Sequence, residues 1–218
     1  AFRADIPSAI PYTNAYLFCV FQAFFAIFIA GDFIKRERSK NTNDSLLARP
    51  VGNVEYVIGK GVATVEMLIV LDIVLMVLTG MLHVFVTDAV FSPLQYVFYF
   101  FTLTLPAILF TTALVVCVKM FVRSRIFVLL GLLLYLWASL ALFPFFAHGI
   151  ADFTASRVPN IFSPLAGHPG MGGYLLQRLV FVWIAIGLFV LSVTGFRRLS
   201  GRWKYTWQII ALCFVAGI

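Results

Sequence analysis

Long apolar runs constrain this chain more than any other feature of its sequence. Five runs are long enough to cross a bilayer, and a sixth begins at Tyr205. The six runs cover residues 14–34, 61–86, 94–118, 126–147, 179–196 and 205–218. A hydrocarbon core of about 30 Å takes roughly 20 apolar residues as helix, and only a helix or a closed barrel satisfies the backbone there. The runs lack the alternation of barrel strands. The sequence therefore predicts an all-α, polytopic membrane helical bundle with five complete spans and one truncated span.

The composition is typical of a membrane protein, and the placement of the charged residues argues against nucleic-acid binding. Apolar residues make up 62% of the chain, charged residues 11%, and the mean hydropathy is +1.00. These values lie far from those of soluble domains. The net charge of +7 is compatible with a phosphate-binding face. However, Lys and Arg stand in short clusters between the apolar runs, with no basic stripe interleaved with aromatic residues, so we expect no nucleic-acid partner.

The distribution of cations predicts the orientation. Thirteen of the sixteen Lys and Arg residues fall in alternate connections, which the positive-inside rule places in the cytoplasm. The sequence thus divides into an extracytoplasmic segment 1–13, a membrane domain 14–204 and the start of a further span at 205–218. Within the membrane domain we expect a cytoplasmic loop at 35–60 and an extracytoplasmic, re-entrant-like loop at 148–178. Both ends look cut, which predicts a longer polypeptide.

The cytoplasmic loop contains its own helix signals. The polar run 41–44 can cap a short helix, which Pro50 and Gly52 then end. A second start signal follows at Asn53, with Glu55 in the first turn of the next helix. The sequence predicts a short helix at the cytoplasmic surface between two spans.

The same loop carries a family resemblance. Its residues read Arg36-Glu37-Arg38, then Leu46-Leu47-Ala48-Arg49-Pro50-Val51, then Glu55-Tyr56-Val57-Ile58-Gly59-Lys60. This pattern resembles the loop between the second and third spans of type-two ATP-binding-cassette (ABC) permeases, where a short helix docks into the ATPase subunit. Asn41 and Arg49 depart from the family pattern. The predicted loop at 148–178 occupies the place of that family's outer re-entrant segment.

The resemblance implies a function and a set of partners. It indicates the membrane subunit of an ATP-driven exporter in the bacterial cytoplasmic (inner) membrane, with no catalytic residue of its own. The implied partners are the lipid bilayer, a cytoplasmic ABC ATPase subunit and a second permease half, on the same or another polypeptide. No cofactor would be bound directly, since ATP would sit on the partner. The residues implied to couple to the ATPase are Arg36, Glu37, Arg38, Thr42, Leu46, Leu47, Pro50 and Glu55.

A few polar residues inside the runs are candidates for a transport pathway. Asp72 lies deep in the second run, where an acid is costly enough to count as a functional hypothesis. It could relay protons or contact a cation; alternatively, it is a carboxylic acid satisfied by a neighbouring helix or kept neutral. Thr104 and Thr111 share a helical face in the third run. They could line the same pathway, or bond to their own helix or to another.

Two further interpretations stay open. A proton-coupled secondary transporter would use Asp72 or Glu66, and a membrane anchor would carry a fused soluble, peptidase-like domain. His83, His148 and His168 have no metal-binding spacing, so we expect solvated or interfacial side chains and no metal site. The run 179–196 is short for a span unless the flanking Arg178 and Arg197 extend outward to the lipid head groups.

Overall fold

Five helices make up the regular structure of the described part of the chain. The computed structural model describes residues 8–37, 53–87, 90–122, 124–143, 145, 152–156, 162, 167–168 and 170–195. The helices are α1 (Ala9–Glu37), α2 (Asn53–Val86), α3 (Pro93–Phe121), α4 (Arg125–Ala141) and α5 (Met171–Gly195). The prediction of an all-helical bundle is confirmed for these residues.

Four of the helices are long and apolar enough to cross a membrane. Their candidate spans are Ala9–Ile29, Val54–Val86, Pro93–Phe121 and Met171–Val193. Much of α2 turns apolar side chains away from the bundle, including Val70, Val74 and Leu78. Such a surface is stable in lipid, where it contacts acyl chains and the helix satisfies its own backbone. The chain is therefore an integral membrane protein.

The fourth predicted span is helical over a shorter length than expected. The apolar part of α4 covers Ile126–Ala141. At 1.5 Å per residue this is about 24 Å, less than the roughly 30 Å of a hydrocarbon core. The helix ends in a cap at Leu142, two residues before Pro144. Proline disfavours helical backbone in the residue before it, which explains the early end.

Helix α5 begins earlier than the apolar run predicted. It starts at Met171, so residues 171–178 of the predicted loop 148–178 are helical. Gly170 precedes the helix with φ of 77°, a left-handed conformation that glycine adopts without strain. Its carbonyl accepts the backbone N–H of Tyr174 at 3.2 Å. The predicted run begins only after Arg178, because a cation typically marks the edge of the membrane.

Helix α3 lies at the centre of the bundle and contains a wide turn. An α-helical part Pro93–Tyr99 is followed by a π-helical turn Phe100–Thr104 and a second α-helical part Leu105–Phe121. The N–H of Leu105 donates to the carbonyl of Phe100, five residues back. Pro106 lacks an N–H, and its ring would clash with the carbonyl four residues earlier. A wider turn just before Pro106 relieves that clash, and such turns often occur at functional sites.

Packing at the two ends of the bundle fixes its topology. Val57 from the start of α2 clusters with Met120 from the end of α3 and Val193 from the end of α5. At the opposite end, Tyr12 near the start of α1 packs edge-on against Tyr99 of α3 at 5.5 Å. Successive helices therefore alternate in direction. We call the end where α2 starts the cation-rich side, because most Lys and Arg flank it, and the opposite end the cation-poor side.

Candidate functional site

Asp72 lies in the middle of α2 and faces the bundle interior. Its side chain is 1% exposed, and neither carboxylate oxygen has a hydrogen-bond partner among the described residues. Burying a polar group without a hydrogen bond costs several kcal/mol in an apolar medium, on the order of 2–7, and more if it is charged. Native structures leave few such groups unpaired. A buried acid in this state therefore needs a functional explanation.

The carboxyl group of Asp72 borders a cleft between three helices. The cleft holds about 220 Å³ of empty space, including its open mouth. It is lined by Pro11, Asn14, Ala15 and Phe18 of α1, Asp72 and Met76 of α2, and Tyr96, Phe100 and Thr104 of α3. One charged group, one amide and a phenol thus converge among apolar walls. The enclosed part of the cleft has room for about one water molecule beside these polar side chains.

Gln22 of α1 is a second unpartnered polar side chain next to Asp72. It is 2% exposed, and both its amide oxygen and its amide nitrogen are buried without a hydrogen-bond partner. Gln22 and Thr104 lie near enough to act on the Asp72 carboxylate. Neither side chain forms a hydrogen bond of acceptable distance and angle with the Asp72 carboxylate. The site therefore contains three neighbouring polar groups with little bonding between them.

The two predicted pathway threonines bond to their own helix. The hydroxyl of Thr104 donates to the carbonyl of Phe100 at 2.8 Å, inside the π-helical turn. The hydroxyl of Thr111 donates to the carbonyl of Ala107 at 2.8 Å. Thr104 lines the cleft, whereas Thr111 does not. The structure thus brings Asp72 and Thr104 together and leaves Thr111 about two helical turns away from Thr104.

His83 and Tyr96 form a buried pair at the cation-poor end of the cleft. His83 is 2% exposed, and its Nδ1 lies 2.9 Å from the Tyr96 hydroxyl. Its Nε2 has no hydrogen-bond partner among the described residues. The expectation of a solvated or interfacial His83 was therefore wrong. Tyr96 reaches across from α3 and holds the ring inside the bundle. Sequence spacing does not reveal this contact, because the two residues lie on different helices.

Arg178 of α5 anchors a buried piece of the connection between α4 and α5. The guanidinium is 3% exposed; Nη1 donates to the carbonyl of Phe153 at 2.7 Å and Nη2 to that of Asp152 at 3.3 Å. It also lies over the rings of Tyr174 and Phe181, at 5.7 and 5.3 Å. The expectation that Arg178 extends to the lipid head groups was therefore wrong. The protein supplies the acceptors that lipid lacks.

The anchored segment, residues 152–156, is organised by Asp152. Oδ1 of Asp152 accepts the backbone N–H and the hydroxyl of Thr154, at 2.8 and 2.6 Å. Oδ2 accepts the N–H and hydroxyl of Ser156, at 2.9 and 2.6 Å. These four bonds hold Ala155 at φ of 51°, which is uncommon for a residue other than glycine. Nε2 of Gln177 also donates to the carbonyl of Asp152 at 3.2 Å, and we call residues 152–156 with Gln177 and Arg178 the anchor.

The implied coupling residues are mostly outside the described part of the chain. Glu55 is exposed in the first turn of α2. Arg36 and Glu37 belong to the last turn of α1 by their backbone. Arg38, Thr42, Leu46, Leu47 and Pro50 lie outside the described residues. Their role remains a prediction from the sequence.

Sequence reasoning missed Gln22, Tyr96, His83 and the anchor as site residues. Gln22 stands alone among apolar neighbours, and a lone amide inside a predicted span was a signal that could have identified it. Within the described residues, no group of three or more His, Cys, Asp or Glu side chains is arranged to hold a metal ion. No protein-family model, curated protein or solved structure matches this chain.

Proposed function

We propose that the chain is the membrane permease subunit of an ATP-driven exporter in a bacterial cytoplasmic membrane. One observation carries the proposal: on the cation-rich side α1 continues past its candidate span, and the 34 residues of α2 form a helix longer than a membrane core of about 30 Å. Helix α1 continues through residues 30–37 after its candidate span ends at Ile29. Eight residues of helix correspond to about 12 Å. The connection 38–52 therefore leaves and rejoins helices that project past the membrane core, where a soluble ATPase can reach it.

Packing at the base of α2 offers a route for mechanical coupling. Val57, one turn into α2, packs with Val116 and Met120 of α3 and Val193 of α5. Gly61 approaches the Phe189 ring of α5 so closely that an added Cβ would lie 2.5 Å from it. A push on the start of α2 would therefore be transmitted to two other helices through close-packed contacts. In this proposal the pushing element is the helix predicted between Thr42 and Pro50.

The finer parts of the architecture belong to the same proposal. We expect α4 to complete a fifth span by local thinning of the bilayer, which costs only fractions of a kcal/mol per Å of mismatch. The buried segment 152–156 supports a loop that folds back into the membrane between residue 148 and the start of α5, since non-helical backbone is tolerated there only when buried in protein. Transport would alternate between inward-open and outward-open packings of this chain and a second half.

Co-purification from native membranes tests the ATPase coupling. Wild-type protein should retain an ATPase subunit, and a variant with both Arg38→Glu and Lys40→Glu should lose it, as should Leu46→Asp. Arg202→Glu, which changes a cation of the same side outside the loop, is the matched control and should retain the subunit. Retention of the ATPase by both loop variants, or no nucleotide-hydrolysing companion in folded wild type, would contradict the proposal.

A proton-coupled secondary transporter is the second candidate function, and the state of Asp72 favours it specifically. A buried acid without partners beside a cleft is what proton coupling requires. Proteoliposomes of the purified chain distinguish the two candidates. Transport without any ATPase that collapses with the proton gradient supports proton coupling, whereas transport that depends on ATP and its ATPase supports the exporter.

A further inference from the structure

We infer that Asp72 is a reversible proton-binding site, connected to the cation-poor side of the membrane through Tyr96 and His83. The inference depends only on the described helices α1, α2 and α3, and not on the ATPase or on the connection 38–52. It would hold for an exporter as well as for a secondary transporter. The proposed path has three parts: a proton acceptor, a bridge and an entry point.

The acceptor is the pair of Asp72 and Gln22. A neutral carboxylic acid and a primary amide can form two mutual hydrogen bonds, from the acid O–H to the amide oxygen and from the amide N–H to the acid carbonyl. With Asp72 protonated, small side-chain rotations would thus satisfy all four atoms that lack partners in this structure. With Asp72 charged, the amide oxygen of Gln22 would have no donor to bond. The pair therefore has a bonded neutral state and a poorly bonded charged state.

The bridge is the row of polar groups along the cleft. Asn14 and Tyr96 line the same cleft as Asp72, and the Tyr96 hydroxyl lies within hydrogen-bonding reach of the Asn14 side chain. The cleft has room for about one water molecule, which its polar groups could hold. The phenol hydroxyl both donates and accepts, so it can pass a proton without a net change of charge.

The entry point is His83, one helical turn before the end of α2 at Val86. Its Nδ1 faces the Tyr96 hydroxyl at 2.9 Å, while Nε2 lacks a partner and the Phe91 ring packs edge-on at 5.4 Å. His83 lies eleven residues from Asp72, about 16 Å along the helix. An imidazole can take up a proton on one nitrogen and release another from the opposite nitrogen.

The proposed transfer balances in protons. Water that reaches the buried Nε2 of His83 from the cation-poor side gives it a proton, and Nδ1 passes its proton to the oxygen of Tyr96. The phenol proton moves to a water in the cleft, and that water protonates one oxygen of Asp72. The phenol and the water are unchanged at the end. His83 then exchanges its tautomer with water, which resets the path.

Other titratable groups could take part, so they must be separated from Asp72. On α1, Cys19 lies close enough to interact electrostatically with Asp72, beside the neutral Gln22. On α3, the facing groups are Tyr96 and Thr104. Around His83 the facing side chains are Tyr96 and Phe91. Glu66, on the same helix as Asp72, is exposed and serves as the control carboxyl.

Infrared difference spectroscopy of the full-length protein in oriented proteoliposomes tests the site. A pH jump on the cation-poor side should produce the carbonyl band of a protonated carboxylic acid. The band should persist in Glu66→Gln and Cys19→Ala and vanish in Asp72→Asn. In Gln22→Leu it should move to higher frequency, because the acid carbonyl loses its amide donor. If Asp72→Asn keeps the band unchanged, the acceptor is another group and the inference is overturned.

Kinetics of the same band test the path. Tyr96→Phe keeps the ring but removes the hydroxyl, so the band should appear at least about tenfold more slowly with its final amplitude unchanged. His83→Gln should slow it similarly. Tyr135→Phe, a tyrosine of α4 outside the cleft, is the matched control and should leave the rate as in wild type. Wild-type rates in both Tyr96→Phe and His83→Gln would overturn the path.

Discussion

Two buried ionisable side chains in this bundle, Arg178 and Asp72, differ in their hydrogen bonding. Arg178 is 3% exposed and donates to two backbone carbonyls, and only its Nε has no hydrogen-bond partner among the described residues. Asp72 is 1% exposed and has no hydrogen-bond partner among the described residues. Networks whose members are satisfied make a structure rigid, whereas unpaired buried groups are costly. Arg178 therefore serves the fold, whereas in our inference the unused bonding capacity of Asp72 serves to bind a proton.

Replacing Arg178 should have the largest effect on stability. Arg178→Leu removes two charge-assisted hydrogen bonds and leaves the carbonyl of Phe153 without its donor, which should lower the free energy of unfolding by about 3 kcal/mol. Unfolding in detergent, followed by circular dichroism, measures the change. Leu179→Ala, at an exposed neighbour, is the control and should cost much less. Equal losses in both variants would show that Arg178 is not an anchor.

Changing Asp152 in the anchored segment should lower the free energy of unfolding somewhat less than Arg178→Leu does. Asp152→Asn keeps one acceptor oxygen but turns an NH₂ group towards the N–H and hydroxyl of one partner residue, so that N–H loses its acceptor and the hydroxyl has to rotate to accept instead of donate. We expect about 2 kcal/mol of destabilisation in the same unfolding assay. Ser156→Ala removes one hydroxyl donor and should cost about half as much. A neutral result for Asp152→Asn would mean that the four-bond turn does not contribute to stability.

The same substitution at Asp72 should have the opposite sign. Asp72→Asn replaces an acid without partners by a neutral amide that can pair with Gln22, so the protein should become more stable by about 1 kcal/mol. Transport, measured in proteoliposomes with the appropriate partner or gradient, should be lost. This pair of Asp→Asn variants is the sharpest test of the comparison. A loss of stability at Asp72 as large as at Asp152 would show that both acids are structural.

His168 should produce the smallest effect, at the cation-poor rim. Its ring stacks on Phe98 at 4.6 Å, and burial lowers the pKa of the imidazole below its ordinary value near 6.5. The unfolded chain therefore binds a proton more readily than the folded one as the pH falls below about 6.5, and the free energy of unfolding decreases there. Above that pH both states are neutral and the residue has no effect. His168→Phe should remove this pH dependence, which unfolding curves between about pH 7.5 and pH 5 would measure.

Much of the fold could be predicted, and less of the site. The runs at 14–34, 61–86 and 94–118 lie within α1, α2 and α3, because a long apolar run has few alternatives to a helix in lipid. The early start of α5 at Met171 was not predicted, since Arg178 was read as a membrane boundary. Asp72 could be identified as a candidate because an acid inside a membrane helix costs free energy. Its neighbours Gln22 and Tyr96 come from other helices, so no local pattern could have shown that they lie beside Asp72.

The sequence by itself determined the solvent and the secondary structure of this protein. Runs of about 20 apolar residues must form helices in a bilayer, and clusters of Lys and Arg separate the two sides. Only the tertiary structure decided which buried polar groups find partners. Arg178 donates hydrogen bonds to carbonyls of a turn that is distant in sequence, whereas Asp72 lines a cleft. The physical reason is that a hydrogen bond between two helices depends on the distance and angle between atoms of separate segments. The hydrophobicity of a span, in contrast, is the sum over residues of one continuous segment and can be read from the sequence.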